Sequence, residues 1–233
     1  MRSKSSPLIP QILSVETATL AGSVALSRGD ERIAALTGDS GVSHSNTLLS
    51  DIDKVLAEAQ VELADVDLFA VATGPGSFTG LRIGIATVKG LAATLDRPTA
   101  GVPTLHAVAL AAGPSPRTVA LLPAGRGEVF AQLFSVTKDG LVTELDKATH
   151  ISPSKLLEKY GSLENVLWCG EGAIANKALL DSAGQEGRLA PAVTNLATHV
   201  AKLAFTKFRE DQLVHPDALH AIYVRPSDAE LKV

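Results

Sequence analysis

Cysteine is almost absent from this chain of 233 residues, in which Cys169 is the single thiol. One cysteine cannot form an internal disulfide, so the class of small disulfide-stapled secreted domains is excluded and a reducing compartment is expected. Cys169 directly follows Trp168 at the end of an apolar run. That position is typical of a packed thiol rather than of a reactive nucleophile.

Aromatic residues and positive charge are also scarce. Phe, Trp and Tyr make up 4% of the chain, and 21 Lys and Arg stand against 25 Asp and Glu, which gives a net charge of −4. A protein that grips RNA by itself usually carries a basic face, with aromatic rings on which bases can stack. The composition therefore predicts that any nucleic acid is reached through another subunit.

Long apolar runs are missing as well. No stretch of 18 apolar residues occurs, so no transmembrane helix and no membrane partner are expected. Residues 1–10 are basic and serine-rich but lead into no apolar segment. They are predicted to be a disordered tail rather than a signal peptide, and the protein is expected to be cytoplasmic.

The remaining composition, 45% hydrophobic and 20% charged, is that of an ordinary globular protein. In the first half, three short apolar runs with tight turns predict an antiparallel meander, and two helix-period segments then alternate with further strands. The predicted order is β-β-β-α-β-α-β, a mixed sheet with helices packed on it. The strands are expected at residues 11–15, 22–26, 32–37, 68–72 and 98–102, and the helices at 45–60 and 77–95.

The chain loosens around residues 101–116, where several Pro and Gly residues occur, and we place a hinge there. Two domains are predicted, at residues 11–103 and 104–233. The second half is interpreted as a shorter copy of the first. Its strands are expected at 118–122, 128–136, 142–145 and 166–169, and its helices after Pro153 and at 173–181 and 194–210.

A glycine-rich turn at residues 73–80 joins a predicted strand to a predicted helix. Gly74 and Gly76 permit backbone angles that other residues avoid, Pro75 fixes the angle between them, and Ser77 can cap the helix. Such a turn could also receive a phosphate on its N–H groups. The spacing is G-x-G-x-x-x-G, however, and no G-K-[ST] follows, so a tight structural turn is favoured over a phosphate site.

The helix after this turn is apolar on nearly all sides, with Arg82 and Lys89 as its only charges. A helix of this kind must be buried on nearly all sides, and a chain this short has few elements to cover it. Gly80 and Gly84 are one turn apart, a spacing that lets another helix approach closely. Two interpretations stay open: this stripe docks a partner, which is slightly favoured, or it faces the chain's own sheet or first helix.

Several segments together carry a resemblance to a known family. They are Val15-Glu-Thr-Ala-Thr19, Gly22-Ser-Val-Ala-Leu26, His44-Ser45 before Leu48-Leu49, Gly74-Pro-Gly-Ser-Phe-Thr-Gly-Leu-Arg-Ile-Gly84, Gly127-Glu-Val-Phe130 and the tail from Tyr223 to Lys232. The chain resembles the TsaB (YeaZ) family from about residue 11 to residue 232, and the segment at 74–84 is highly specific.

The resemblance implies an α/β, actin/Hsp70-like (ASKHA) fold of two related lobes, the second reduced. It implies a non-catalytic subunit in the threonylcarbamoylation of adenosine 37 in tRNAs that read codons starting with A. The implied partners are a TsaD-type catalytic subunit and a TsaE-type small ATPase, with a homodimer as the alternative use of the same helices. Transfer RNA would be bound only indirectly, and no cofactor is implied.

Carried onto this chain, the family's dimer face falls on the helices at 45–60 and 77–95. The residues expected there are Leu48, Ile52, Val55, Phe78, Thr79, Gly80, Arg82, Ile83, Gly84, Thr87 and Leu91. Weak nucleotide or phosphate binding would involve Glu16, Thr17, Thr19, Gly74, Gly76 and Ser77. No catalytic residue is predicted.

The family's catalytic relatives hold a metal with an H-x-x-x-H helix pair, and here the second position is Leu48 after His44. One histidine cannot form that chelate, so no metal site and no peptidase activity are expected. The chain also departs from its family at Pro123-Ala124-Gly125, where an Asp-Ala-Arg stretch is usual, and at Glu16 in place of Asp. A small actin-like ATPase or kinase-like enzyme that binds nucleotide between its lobes is the alternative function.

Overall fold

The computed structural model describes residues 9–41, 44–185 and 188–224, and of His44 and Ser45 it describes the backbone. The chain forms two compact units. Of the described residues, the first unit contains those between 9 and 73 together with 79–102 and 195–221, and the second contains 74–78, those between 103 and 194, and 222–224. The predicted tail and most of the predicted family motif at 223–232 lie outside the described residues.

The first unit is built on a five-stranded sheet in the order β3-β2-β1-β4-β5. Strand β1 pairs antiparallel with β2, which pairs antiparallel with β3, and on its other side β1 pairs parallel with β4. The predicted meander beside a parallel crossover is therefore confirmed. The strands are β1 Gln11–Glu16, β2 Ser23–Arg28, β3 Glu31–Thr37, β4 Leu68–Gly74 and β5 Thr99–Pro103.

Helices cover both faces of this sheet because alternate side chains of each strand point to opposite sides. Leu13 and Val15 belong to the same apolar cluster as the buried faces of α1 (His44–Ala59) and α2 (Phe78–Thr94). Between them, Ser14 points the other way, and its Oγ donates a hydrogen bond of 2.8 Å to the carbonyl of Ala197.

Ala197 begins the long helix α7 (Ala197–Arg209), which packs on β1 and β2. The sequence analysis had grouped this helix with the second half of the chain. In the structure it belongs to the first unit, since an amphipathic stripe shows that a helix packs on a sheet but not on which sheet.

The second unit contains a mixed sheet in the order β10-β6-β7-β8, with β9 also paired to β7. Its strands are β6 Ser115–Gly125, β7 Glu128–Val136, β8 Val142–Glu144, β9 Thr149–Ile151 and β10 Leu167–Cys169. Helices α4 (Pro153–Tyr160), α5 (Glu171–Ala175) and α6 (Lys177–Ser182) follow the strands. Tyr160 and Trp168 are the largest side chains of this unit's core, and their rings meet edge to face at 6.5 Å.

A helix, α3 (Thr104–Ala111), stands where the sequence analysis expected a loosened hinge. Pro103 precedes it and Gly113 follows it, so the residues that interrupt the pattern are the ends of a short regular element. Its apolar side chains, including Leu105 and Val108, are buried against β6 and β7. The hinge and the domain boundary between residues 103 and 104 stay predictions.

Candidate functional site

The glycine-rich turn joins a strand to a helix, as the sequence predicts. Strand β4 ends at Gly74, with φ of 115°, and α2 begins at Phe78 after a cis Gly74–Pro75 peptide. The Gly74 N–H donates a hydrogen bond of 3.0 Å to Oγ1 of Thr104. One amide that a phosphate would need is therefore already used within the chain.

Glu16, the acidic residue of the predicted nucleotide set, is buried at the end of β1. Its carboxylate accepts hydrogen bonds from the N–H and the hydroxyl of Thr19, at 2.7 and 2.8 Å, and lies 3.5 Å from the hydroxyl of Ser23. These bonds close the turn between β1 and β2. Glu16 and Asp51 line a small pocket with room for about one water molecule.

Thr17 lies against two of the three glycines of α2, Gly80 and Gly84. Its Oγ1 donates a hydrogen bond of 2.7 Å to the carbonyl of Gly80, and a Cβ added to Gly84 would lie 2.3 Å from the same oxygen. Both glycines are buried. The close approach is thus made by the chain's own Thr17, and the expectation that Gly80 and Gly84 touch a partner helix is corrected. A small-residue spacing predicts a close neighbour without identifying it.

The apolar stripe of α1 is also internal. Leu48, Ile52 and Val55 are 5%, 2% and 0% exposed and lie in the core cluster of the first unit. They were expected at the partner face, and the structure corrects this as well, because the apolar stripe of an amphipathic helix faces its own sheet first. Leu49, one position later, is 62% exposed instead.

The remaining predicted residues of α2 do lie at or near its surface. Phe78, Thr79 and Arg82 are exposed, whereas Ile83, Thr87 and Leu91 are half-buried. The sequence analysis missed three small exposed residues on this helix, Ala86, Gly90 and Ala93. They follow Thr79 and Arg82 at helical spacing, and no atom lies within 4 Å of a Cβ added to Gly90. The sequence pattern could have identified them, because each stands one or two positions after a large or buried residue of α2 and so faces another side of the helix.

We call Thr79, Arg82, Ala86, Gly90 and Ala93 the smooth strip. These residues recur every three or four positions, so they share one side of α2. Helices α1 and α2 each bury their apolar side chains in one core cluster. The smooth strip and Leu49 are exposed, so they lie on the sides of α2 and α1 that face away from this cluster.

Residues 214–219 of the same chain cover a further side of α2. Lys89 donates from Nζ to the carbonyls of Asp217 and Leu219, at 3.2 and 3.3 Å, and the Leu219 side chain is buried in the core cluster. The sequence analysis found few elements to spare for this purpose, because it assigned no packing role to residues 214–219.

The histidines do not assemble a metal site in the part of the chain that the structure describes, where no three His, Cys, Asp or Glu side chains come together. The His44 side chain lies outside that part, and Leu48 in the second chelate position is buried. His106 pairs with Glu144 at 3.0 Å and His150 with Glu128 at 2.8 Å.

Burial raises the pKa of the Cys169 thiol well above its usual range, which fits the packed role expected for it.

The departure at residues 123–125 falls at the end of β6. Gly125, Arg126 and Gly127 all have positive φ, of 77°, 54° and 77°, and form the turn into β7.

Among the described residues, no helix is both long enough and apolar enough to cross a bilayer.

Comparison with known families gives one clear match. A family model described as TsaD, tRNA N6-adenosine threonylcarbamoyltransferase, matches residues 39–215, well over half of the chain. The tRNA threonylcarbamoyladenosine biosynthesis protein TsaB of Escherichia coli is 28% identical over 227 residues, covering 96% of this chain and 98% of that protein. The protein of the same name from Bacillus subtilis is 28% identical over 225 residues, with coverages of 95% and 96%.

Solved structures show the same fold. YeaZ from Pseudomonas aeruginosa superposes with a TM-score of 0.77 at 24% identity, over 92% of this chain and 99% of that one. Component A of (R)-2-hydroxyglutaryl-CoA dehydratase from Acidaminococcus fermentans gives a TM-score of 0.55 at 13% identity, over 85% and 98%. These likenesses establish the expected actin/Hsp70-like class of fold, with two mixed sheets flanked by helices. Together with the family match, they show that the chain belongs to the TsaB (YeaZ) family of tRNA threonylcarbamoyladenosine biosynthesis proteins.

Proposed function

We propose that this chain is the non-catalytic docking subunit for threonylcarbamoylation of adenosine 37 in tRNA, and that it acts by binding a TsaD-type catalytic subunit. The observation that carries the proposal is the smooth strip of α2, together with the exposed Leu49 of α1. Apart from Arg82, the strip consists of Thr, Ala and Gly, and such small residues allow a second helix to come close.

Two larger apolar side chains are also exposed on these helices. Phe78 at the start of α2 and Leu49 on α1 are both exposed apolar side chains, and Arg82 lies between small neighbours on the strip. Aromatic and arginine side chains in this setting are the usual anchors of a protein interface. The proposed docking face is therefore Leu49, Phe78, Ile83, Thr87, Leu91 and the smooth strip.

The surroundings of the acidic residue favour a docking role over a catalytic one. In a nucleotide-binding relative an acid at this position helps hold metal and phosphate, whereas the Glu16 carboxylate here closes the turn through Thr19 and Ser23. Chemistry is therefore assigned to the catalytic partner, and a TsaE-type ATPase joins that pair. The net charge of −4 supports the proposal that tRNA is bound through the partner.

The proposal is tested by placing a large charge on the smooth strip. Ala86→Arg should abolish the complex with the catalytic subunit in gel filtration and in calorimetry, because Ala86 is exposed and the new side chain separates the two helices. Ala175→Arg is the matched control, since Ala175 is also an exposed helical alanine but lies on α5 of the second unit. The control should bind like the wild type.

Activity provides the decisive measurement. Threonylcarbamoylation by the catalytic subunit should require this chain and should be lost with Ala86→Arg. The proposal fails if the catalytic subunit works equally well without this chain, or if Ala86→Arg binds and activates normally. A homodimer through the same face would be weakened by the same substitution in analytical ultracentrifugation.

A further inference from the structure

Lys89 makes an unusual pair of contacts for a helix surface lysine. Its Nζ lies 3.2 Å from the carbonyl oxygen of Asp217 and 3.3 Å from that of Leu219. Asp217 lies in the 3-10 turn Pro216–Ala218, and Leu219 is the residue that follows this turn. The ammonium group therefore closes the end of this turn with charge-assisted hydrogen bonds.

We call residues 214–219 the strap. At its first residue, Val214 exchanges two backbone hydrogen bonds of 2.9 Å with Thr99 of β5, and Oγ1 of Thr99 adds a third at 3.0 Å. At its last residue, the Leu219 side chain is 3% exposed and packs in the core of the first unit. The strap is thus fixed to the sheet edge at one end and to the core at the other.

Gly101 shows how closely the strap is seated. A Cβ added there would lie 2.9 Å from Cδ1 of Leu219 and 2.8 Å from Cγ2 of Thr73. The strap therefore has a defined position relative to β5. A side chain that is hydrogen-bonded to the strap, such as Lys89, is held in a defined position as well.

Lys89 connects this fixed strap to the proposed docking helix. On α2 it stands three residues after Ala86 and four before Ala93, so it borders the smooth strip. Its neighbours Val88 and Ala92 are buried in the same core cluster as Leu219. The bonds from Lys89 to the strap therefore act on the half of α2 that carries Ala86, Gly90 and Ala93.

We propose that Lys89 is a positioning residue: by binding the strap it holds the C-terminal half of α2 in the position that the catalytic partner recognises. This inference rests on the proposed function, because it concerns the same docking face. It assigns Lys89 an effect on partner affinity without a contact to the partner.

The first experiment compares Lys89→Met with Lys89→Arg in the full chain, using calorimetry with the catalytic subunit. Lys89→Met keeps the aliphatic stem but loses the donors, and it should weaken binding by about tenfold, within the range typical of coupling residues. Lys89→Arg retains donors and should restore affinity to within about threefold. Amide hydrogen exchange should show faster opening of residues 86–94 in Lys89→Met alone.

A matched variant separates positioning from general stability. Ser14→Ala removes the buried hydrogen bond to Ala197 on the opposite face of the sheet, so it should lower the melting temperature while leaving partner affinity unchanged. If Ser14→Ala weakens binding as much as Lys89→Met does, the effect is one of stability and the inference is overturned.

A double-mutant cycle identifies the route of the effect. If Lys89 acts through the strap, the effects of Lys89→Met and Leu219→Ala should overlap. The double variant should then lose a smaller factor in affinity than the product of the factors lost by the two single variants. Multiplicative losses would mean that Lys89 acts independently of the strap and would overturn the inference. Normal binding by Lys89→Met would also overturn it, whereas failure of the wild type to bind at all would overturn the proposed function first.

Discussion

Gly84 and Gly90 are two residues of one helix with opposite surroundings. Gly84 faces the Thr17 hydroxyl, which leaves no room for a methyl group, whereas Gly90 faces open space. Gly84→Ala should therefore lower the free energy of unfolding by about 1–3 kcal/mol through overpacking. Gly90→Ala should raise it by about 0.5–1 kcal/mol, since alanine stabilises an exposed helix interior.

Urea unfolding of the two variants checks this pair directly, and Thr17 supplies an internal control. In the Thr17→Ala background the oxygen that lies 2.3 Å from the added Cβ is gone, so Gly84→Ala should cost less than it does with Thr17 present. Equal effects of the two glycine substitutions would contradict the assignment of Gly84 to an internal contact.

His199 makes the first unit sensitive to acid. Burial lowers the pKa of its imidazole, and the neighbouring Lys202 lowers it further, although a bond to the Asn195 carbonyl at 3.3 Å acts in the opposite direction. The unfolded chain therefore takes up a proton more readily than the folded one below about pH 6.5, and stability falls as the pH decreases through that range.

His199→Gln should flatten this dependence. Its free energy of unfolding should change less than that of the wild type between about pH 7 and pH 5, because glutamine does not titrate. The measurement is urea unfolding at several pH values, with His215→Gln as the control, since His215 is exposed at the surface. Parallel pH profiles for His199→Gln and the wild type would contradict the prediction.

At the scale of elements, Asp146 explains why one edge of the second sheet is split into β8 and β9. Strand β8 pairs with residues 134–136 of β7 and β9 pairs with 129–131, and between them the Leu133 N–H donates to Oδ1 of Asp146 at 2.7 Å. Oδ2 accepts from the hydroxyl of Tyr160 on α4, also at 2.7 Å. One carboxylate thus replaces the missing strand bond and ties the sheet edge to a helix.

Removing this carboxylate should loosen the whole edge. Asp146→Ala removes the carboxylate that accepts from the Leu133 N–H and from the Tyr160 hydroxyl, so we expect a loss of about 2–4 kcal/mol in the free energy of unfolding. Asp146→Asn keeps an amide oxygen in place and should cost less. Hydrogen exchange should localise the change to residues 133–150, and a loss spread evenly over both units would contradict this assignment.

Periodicity predicted most of the elements because each short strand and each amphipathic helix carries its pattern within its own residues. Strands β1 to β5 and helices α1 and α2 begin and end within a few residues of their predicted bounds. Helix α3 was missed because flanking Pro and Gly residues made a short helix resemble a hinge. The split into β8 and β9 was also missed, since it depends on Asp146 meeting β7 and α4 in three dimensions.

The candidate site was predicted at the level of the helix but not of the individual residue. The sequence identified α2 as a helix needing cover on several sides, and the strap and Thr17 then turned out to provide part of that cover. Leu48, Ile52, Val55, Gly80 and Gly84 were expected at the partner face and are buried within the chain. The sequence alone cannot say which side of an all-apolar helix its own chain takes, so the smooth strip became visible only from burial.

At the scale of the whole molecule, the net negative charge of this chain bears on whether it contacts tRNA itself. With a net charge of −4 and aromatics at 4%, the chain offers little to a phosphate backbone or to unstacked bases. We therefore expect the isolated chain to show no tRNA binding at micromolar concentration in filter binding at about 0.15 M salt.

The salt dependence makes this a test of indirect binding. For a protein that contacts Z phosphates, the logarithm of the binding constant falls with the logarithm of salt at a slope of about −0.7Z to −0.9Z. The slope for the complex should therefore equal that of the catalytic subunit alone, because this chain adds no phosphate contacts. A steeper slope for the complex, or salt-sensitive binding by the isolated chain, would show that it touches tRNA directly and contradict the indirect role.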